Sequence, residues 1–190
     1  MKKEDGRVRY TKMVIRKSFI SLLDEKPASK ISVKELCERA EINRATFYAH
    51  YESIEALYGS IKSELAERIR NYLIPVASNE CQNIEATLER LFSFIKENED
   101  ICRVLLGDFG NSGFEEYIVA MLRLEFSSEW AKKKSIPVEY ADDVFEFAAI
   151  GGTGLIKKWL KGGMKASPGD LAALLIKITE GIFSAFAESL

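Results

Sequence analysis

The sequence predicts an all-α chain of about nine helices: a three-helix N-terminal unit built around a tight helix-turn-helix, then a larger helical remainder. Three observations carry this. Apolar residues recur at steps of three and four almost everywhere, the period of an amphipathic helix. No stretch shows the apolar–polar alternation of a half-buried strand. Proline, glycine and N-capping residues fall at intervals that cut the chain into helix-sized pieces.

Thr11, Ile15, Phe19 and Leu22, with Leu23 alongside, mark the first helix, and Pro27 lies beyond its end. Ser32-Val33-Lys34-Glu35 is a capping box opening a second helix, striped by Val33, Leu36, Cys37 and Ala40. Asn43 caps a third helix running to about Tyr51, and Ser53 caps a fourth that Pro75 is expected to stop at about Ile74. Further helices are expected near 84–98, 100–107, 112–133, 138–161 and 168–188.

Composition bounds the function. Of 190 residues, 47% are hydrophobic and 11% aromatic, ample for a core and against global disorder. No apolar run approaches the ~18 residues of a membrane span, and the charged start MKKEDGRVRY does not resemble a signal peptide, so a cytoplasmic location is expected. Cys37, Cys81 and Cys102 are odd in number and far apart, which argues against a disulfide framework or zinc site. Gly151-Gly152-Thr153-Gly154 lacks the Gly-Lys-Ser/Thr and preceding strand of a phosphate loop. Asp108-Phe109-Gly110 stands without the other kinase signatures, and a lone histidine, His50, builds no catalytic triad or histidine metal cluster. No enzyme, cofactor or metal is expected. The net charge of −2 hides an asymmetry: residues 1–51 carry 12 Lys and Arg against 7 Asp and Glu, residues 52–190 carry 15 against 22. A basic first quarter on an acidic remainder suits one end meeting a polyanion.

The chemistry concentrates in residues 32–51. Two short helices joined by a three-residue break must cross steeply, and in such motifs the second helix enters the major groove. Phe47 and Tyr51, four apart, share the face that anchors this helix to the core. Arg44, Ala45, Thr46, Tyr48, Ala49 and His50 project elsewhere. Arginine can pair with guanine edges or phosphate, Ala45 allows close approach, and Thr46, Tyr48 and His50 can donate to phosphate oxygens. Thr11, Lys34, Asn43 and Ser53 complete the set expected at DNA.

Residues 9–58, above all Ile31-Ser32-Val33-Lys34-Glu35-Leu36-Cys37 and Ala40-Glu41-Ile42-Asn43-Arg44-Ala45-Thr46-Phe47-Tyr48-Ala49-His50-Tyr51, resemble the DNA-binding domain of TetR/AcrR-family transcriptional regulators. The resemblance implies a homodimeric regulator, a repressor, with a DNA-binding domain over 1–58 and an effector-binding and dimerisation domain over 59–190. Its partners would be double-stranded operator DNA, a second copy of itself, and a small-molecule effector; control by a partner protein is the alternative. Two positions depart from the pattern. Glu41 stands where the turn usually has glycine, at a cost of roughly 1 kcal/mol if the turn is left-handed. Ile54 stands where a lysine commonly meets phosphate.

Phe147 to Leu160, with Gly163-Met164-Lys165-Ala166-Ser167-Pro168, is similar to the C-terminal region of a subgroup that includes regulators of the dihydroxyacetone kinase type. The last helix is apolar on two faces: Leu171, Leu174, Leu175, Ile178, Ile182, Ala185 and Phe186 on one, and Ala172, Ile176, Thr179, Phe183 and Ala187 on the other. Such a helix needs covering twice. Gly151 and Gly154, with Ile176, Thr179, Phe183 and Ala187, are therefore expected at a dimer interface built as an intersubunit four-helix bundle. Phe92, Phe109, Tyr117, Phe126, Trp130, Phe145 and Trp159 are the aromatic candidates for an effector pocket.

Overall fold

A computed structural model describes residues 6–77, 83–106, 113–126 and 136–187. Nine α-helices lie among the described residues: α1 Gly6–Glu25, α2 Val33–Arg39, α3 Arg44–Tyr48, α4 Ile54–Ala77, α5 Ile84–Glu97, α6 Glu99–Leu106, α7 Phe114–Phe126, α8 Ala141–Lys161 and α9 Pro168–Ala187. None of them is long and apolar enough to cross a membrane.

Helices α1, α2 and α3 close around Ile15, Phe19, Leu22, Leu36 and Phe47, all fully buried. The fourth wall of that small core is α4, whose Ile54, Leu57 and Ile61 face inward at helical spacing. The stripe continues through Leu65, Ile69 and the half-buried Leu73, and here it covers α5 and α7. The division expected near residue 58 therefore falls inside an unbroken helix. Beyond it, α9 lies along α5 in the most extensive helix pairing of the chain, and α8 packs on α6 and α7. One large hydrophobic cluster includes residues from Ile15 to Ala172, and a small second one joins Ile136 and Val144.

Pro75 does not stop α4, which continues to Ala77. Proline removes one amide donor and crowds the carbonyl four residues back, but its fixed φ is helical. Within the last turn that cost is local, and the described helix runs only two residues further.

The α2–α3 turn is a Schellman closure. The Ile42 amide donates to the Cys37 carbonyl at 3.0 Å and the Glu41 amide to the Glu38 carbonyl at 3.3 Å. Glu41 occupies the left-handed position, with φ 52°, which glycine fills at least cost. Ile42 then packs against the core, pinning the exit of α2. Ser32 caps α2 as expected, its hydroxyl accepting from the Glu35 amide at 3.2 Å. The Glu35 carboxylate also binds Lys26, and that hydrogen bond, ahead of the lesser pulls of the Ser32 amide and Arg39, holds its pKa below the usual range.

The α8–α9 corner is closed by side chains. The Trp159 indole donates to the Ala166 carbonyl at 2.9 Å, and its ring packs on Phe92 at 6.2 Å between centroids. Ser167 and Asp170 cap α9 reciprocally, the Asp170 amide donating to the serine hydroxyl at 3.1 Å and the Ser167 amide to the aspartate at 3.2 Å.

Replacing Glu41 by glycine relieves the left-handed strain, about 1–2 kcal/mol, against roughly 0.4–1 kcal/mol of added unfolded-state entropy. Glu41→Gly should stabilise the chain by about 0.5–1 kcal/mol in urea unfolding. A less stable variant would show that the glutamate side chain contributes something the strain does not outweigh.

Candidate nucleic-acid interface

The candidate reading helix is shorter than expected. α3 ends at Tyr48, and Ala49 and His50 continue as turn, still bonded back to Ala45 and Phe47. Asn43 is its cap: Oδ1 accepts from the Thr46 amide at 2.7 Å and from the Thr46 hydroxyl at 2.9 Å. Phe47 is fully buried, and Tyr51 lies half-buried with its ring tilted on Phe47 at 6.0 Å. Burial pushes the Tyr51 hydroxyl pKa up. These two aromatics fix which face of α3 points outward.

That outward face presents Arg44, Ala45, Tyr48 and Ala49, all exposed, with Thr46 and His50 half-buried beside them. Arg44 forms no ion pair among the described residues, unlike several cations of the basic quarter. Arg39 is bound to Glu25 and the Ser21 hydroxyl, both at 2.9 Å; Arg16 pairs with Glu64 and Lys26 with Glu35. Lys34 is exposed, with Glu38 at 3.8 Å one turn on. Pairing thus ties up several individual cations, but of these pairs only Arg16–Glu64 reaches an acid beyond residue 51, so the net positive charge of the segment is little changed.

Two expected donors have already spent their protons. The Thr46 hydroxyl donates to Asn43, and the Thr11 hydroxyl donates to the Arg7 carbonyl at 2.9 Å. In this arrangement each offers only lone pairs, so neither donates to phosphate without rotating. Ser53 sits at the start of α4, its oxygen accepting from the Ala56 amide at 3.1 Å, a capping role rather than an outward one. Ile54 is buried in the core where the family pattern has lysine.

The remainder holds a cavity of about 190 Å³. Its walls are Leu65, Ile69 and Leu73 of α4; Leu88, Leu91, Phe92 and Ile95 of α5; Cys102 and Leu106 of α6; Phe114, Ile118 and Leu122 of α7. The rest comes from Phe145, Ala148, Ala149, Gly152, Thr153 and Ile156 of α8, and Leu175 and Thr179 of α9. Of the aromatic candidates, Phe92 and Phe145 line it. Tyr117 does not: it points outward, 49% exposed, because its position on α7 is off the face carrying Phe114, Ile118 and Leu122. Trp159 is buried but pins the α8–α9 corner instead. Phe109 and Trp130, and the side chain of Phe126, lie outside the described residues. The aliphatic contribution of α4 was missed, although its stripe is visible in the sequence.

On the outside of α8 and α9 lies an apolar face: Phe147 (65% exposed), Ile150, Leu174 and Ile178. Gly151 and Gly154 are exposed beside them, and a Cβ built on either meets nothing within 4 Å. Ile176 packs against the chain's own core, Thr179 lines both the cavity and the outer groove shared with Phe147, Gly151, Gly154 and Ile178, and Leu174 and Ile178 are the large apolar side chains that α9 exposes. The side chains of Phe183 and Ala187 lie outside the described residues.

The capped α2–α3 pair, joined by the Schellman turn and packed on α1, has the form of a helix-turn-helix, the motif of a class of DNA-binding proteins. Residues 20–61 match the family described as bacterial regulatory proteins, tetR family, and residues 82–181 match the transcriptional regulator C-terminal region. The chain belongs to the TetR family of DNA-binding transcriptional regulators, whose members dimerise and are not enzymes. It is 27% identical over 111 residues to the nucleoid occlusion factor SlmA of Marinomonas sp. (strain MWYL1), covering 56% of this chain and 53% of that protein. It is 29% identical over 138 residues to the uncharacterized HTH-type transcriptional regulator YxbF of Bacillus subtilis (strain 168), covering 72% of this chain and 31% of that one. The matches thus span about half or less of the length of these curated relatives. Among solved structures, a TetR transcriptional regulator from Streptococcus agalactiae 2603V superposes with a TM-score of 0.60 at 25% identity over 93% of this chain and 97% of that one. The dihydroxyacetone kinase operon activator DhaS shares the fold, with a TM-score of 0.61 at 19% identity over 93% and 97%.

Proposed function

We propose that the chain is a homodimeric repressor that binds an inverted-repeat operator through α3 and leaves it when an effector occupies the cavity. The observation that carries this reading is α4. One end of this helix is buried against α1, α2 and α3 through Ile54, Leu57 and Ile61; the other walls the cavity through Leu65, Ile69 and Leu73. A ligand that pushes on the second half moves the first, and with it the reading helix. A dimer reading two half-sites needs its recognition helices about 34–36 Å apart, so a small tilt of α4 in each subunit spoils the fit.

Residues 1–58 are assigned to DNA binding and 59–190 to effector binding and dimerisation, with α4 running through the boundary. Arg44 is the principal base or phosphate contact; Lys34, Tyr48 and His50 supply positioning contacts, with Ala45 and Ala49 permitting close approach. The apolar outer face of α8 and α9 is the dimer contact, with Gly151 and Gly154 letting the partner's helices come close. Four exposed large apolar side chains on one face make such a contact favourable. The repressor assignment belongs to the same proposal: the unliganded dimer occupies DNA, and effector binding releases it.

Arg44→Ala should weaken binding to a duplex from the upstream intergenic DNA by about 1–3 kcal/mol, read by fluorescence anisotropy, with the circular dichroism spectrum unchanged. Wild-type affinity would take Arg44 out of the interface. Ile178→Glu would bury a carboxylate between subunits, a cost of several kcal/mol without a partner. Sedimentation should show a monomer; a stable soluble dimer would place the interface elsewhere.

A further inference from the structure

The chemistry of the cavity walls narrows what can occupy it, and this inference rests on the effector reading above. Among the described residues no Lys, Arg, His, Asp or Glu lines the cavity. The polar side-chain atoms of those described walls are those of Thr153, Thr179 and Cys102. The Thr179 hydroxyl has the Leu175 and Ile176 carbonyls at 2.9 Å. The Thr153 hydroxyl has the Ile150 carbonyl at 2.9 Å and a Glu115 carboxylate oxygen at 3.0 Å. A hydroxyl has one proton, and both are committed, which leaves oxygen lone pairs facing a guest. Cys102 is neutral, since burial pushes its thiol pKa to about 12. Lys157, one turn beyond Thr153, is already bound to Glu115 at 2.6 Å.

A charged head group drawn inside, away from the mouth, would leave water with no opposite charge on the described walls to meet it. A hydrocarbon chain loses nothing, and one hydroxyl on it can donate to a threonine oxygen. The volume, about 190 Å³, somewhat exceeds the ~150 Å³ apolar cavity that admits benzene. Scaled from benzene's six heavy atoms, that is a guest of roughly eight heavy atoms. We propose that the cavity binds a neutral, hydrocarbon-rich ligand of this size with at most one hydrogen-bond donor, the chemistry of a medium-chain alcohol, and rejects charged isosteres.

The test is isothermal titration of the full chain at pH 7.5 with three probes of equal chain length: 1-octanol, octanoate and n-octylammonium. The expected result is one octanol per chain with a Kd at least tenfold below that of either ion. Equal or tighter binding of an ion, or binding of none of the three, overturns the proposal. Ala149→Phe, which fills the cavity from α8, should raise the octanol Kd at least tenfold; an unchanged Kd in a folded variant places octanol elsewhere and also overturns it. Should that variant fail to fold, the wild-type series decides alone. Operator affinity measured on the same samples separates this from the effector reading. Octanol bound in the cavity with operator affinity unchanged keeps the ligand class and removes effector control. A charged compound that fills the cavity and releases the operator keeps effector control and overturns the ligand class.

Discussion

The buried stripe Ile54, Leu57, Ile61, Leu65 and Ile69 along α4 is the constraint on which the rest of the structure depends. Its spacing of three, then four, keeps one face of a 24-residue helix toward the interior. Its first three residues complete the core of the helix-turn-helix; the next two, with Leu73, wall the cavity. Burying a leucine or isoleucine contributes roughly 1.5–3 kcal/mol as an upper estimate. The Arg16–Glu64 pair that also joins α1 to α4 is partly exposed, and such pairs are worth about 0–1 kcal/mol. Apolar burial, not charge, therefore holds the reading unit to the rest of the chain.

The reading unit itself is built from local rules. Ser32 and Asn43 begin its two helices, Glu41 and Ile42 end the first, and Phe47 with Tyr51 orients the second. Because these devices lie within 20 residues, they were legible in the sequence without knowledge of the tertiary structure. The capping serine and asparagine, the left-handed turn and the buried aromatic face all stand where the pattern puts them. Less legible was which polar groups remain available. That depends on partners the motif does not name: Glu25 for Arg39 and Glu64 for Arg16 on other helices, and Arg7 one turn back for Thr11.

The regulatory half shows the limits of one-dimensional reading differently. Helix positions follow from period and punctuation, but which of two apolar faces turns inward does not. In α9 both stripes read alike, and packing cuts across them: Leu171 and Ala172 are buried, Leu175 and Ile176 pack on the core, and Leu174 and Ile178 stay outside. Aromatic residues alone mark Phe92 and Phe145 but not the aliphatic walls, because a cavity is defined by what neighbouring helices fail to fill. Trp159 illustrates the same point: its indole N–H needed a partner and found the Ala166 carbonyl across a corner.

The central claim is that the face of α3, with Lys34 and the basic start of α1, lies on the phosphate backbone of DNA, although the whole chain is acidic with a pI near 5.7. Each cation that neutralises a phosphate releases counterions, adding about −0.9 to the slope of log affinity against log salt. Lys34 and Arg44 from two subunits, with contributions from the cations preceding Thr11, give an expected slope of roughly −4 to −8. The direct measurement is affinity for one fixed operator duplex across a salt series. A slope in that range supports the account; a flat dependence would mean that this surface does not meet the backbone, and would contradict it.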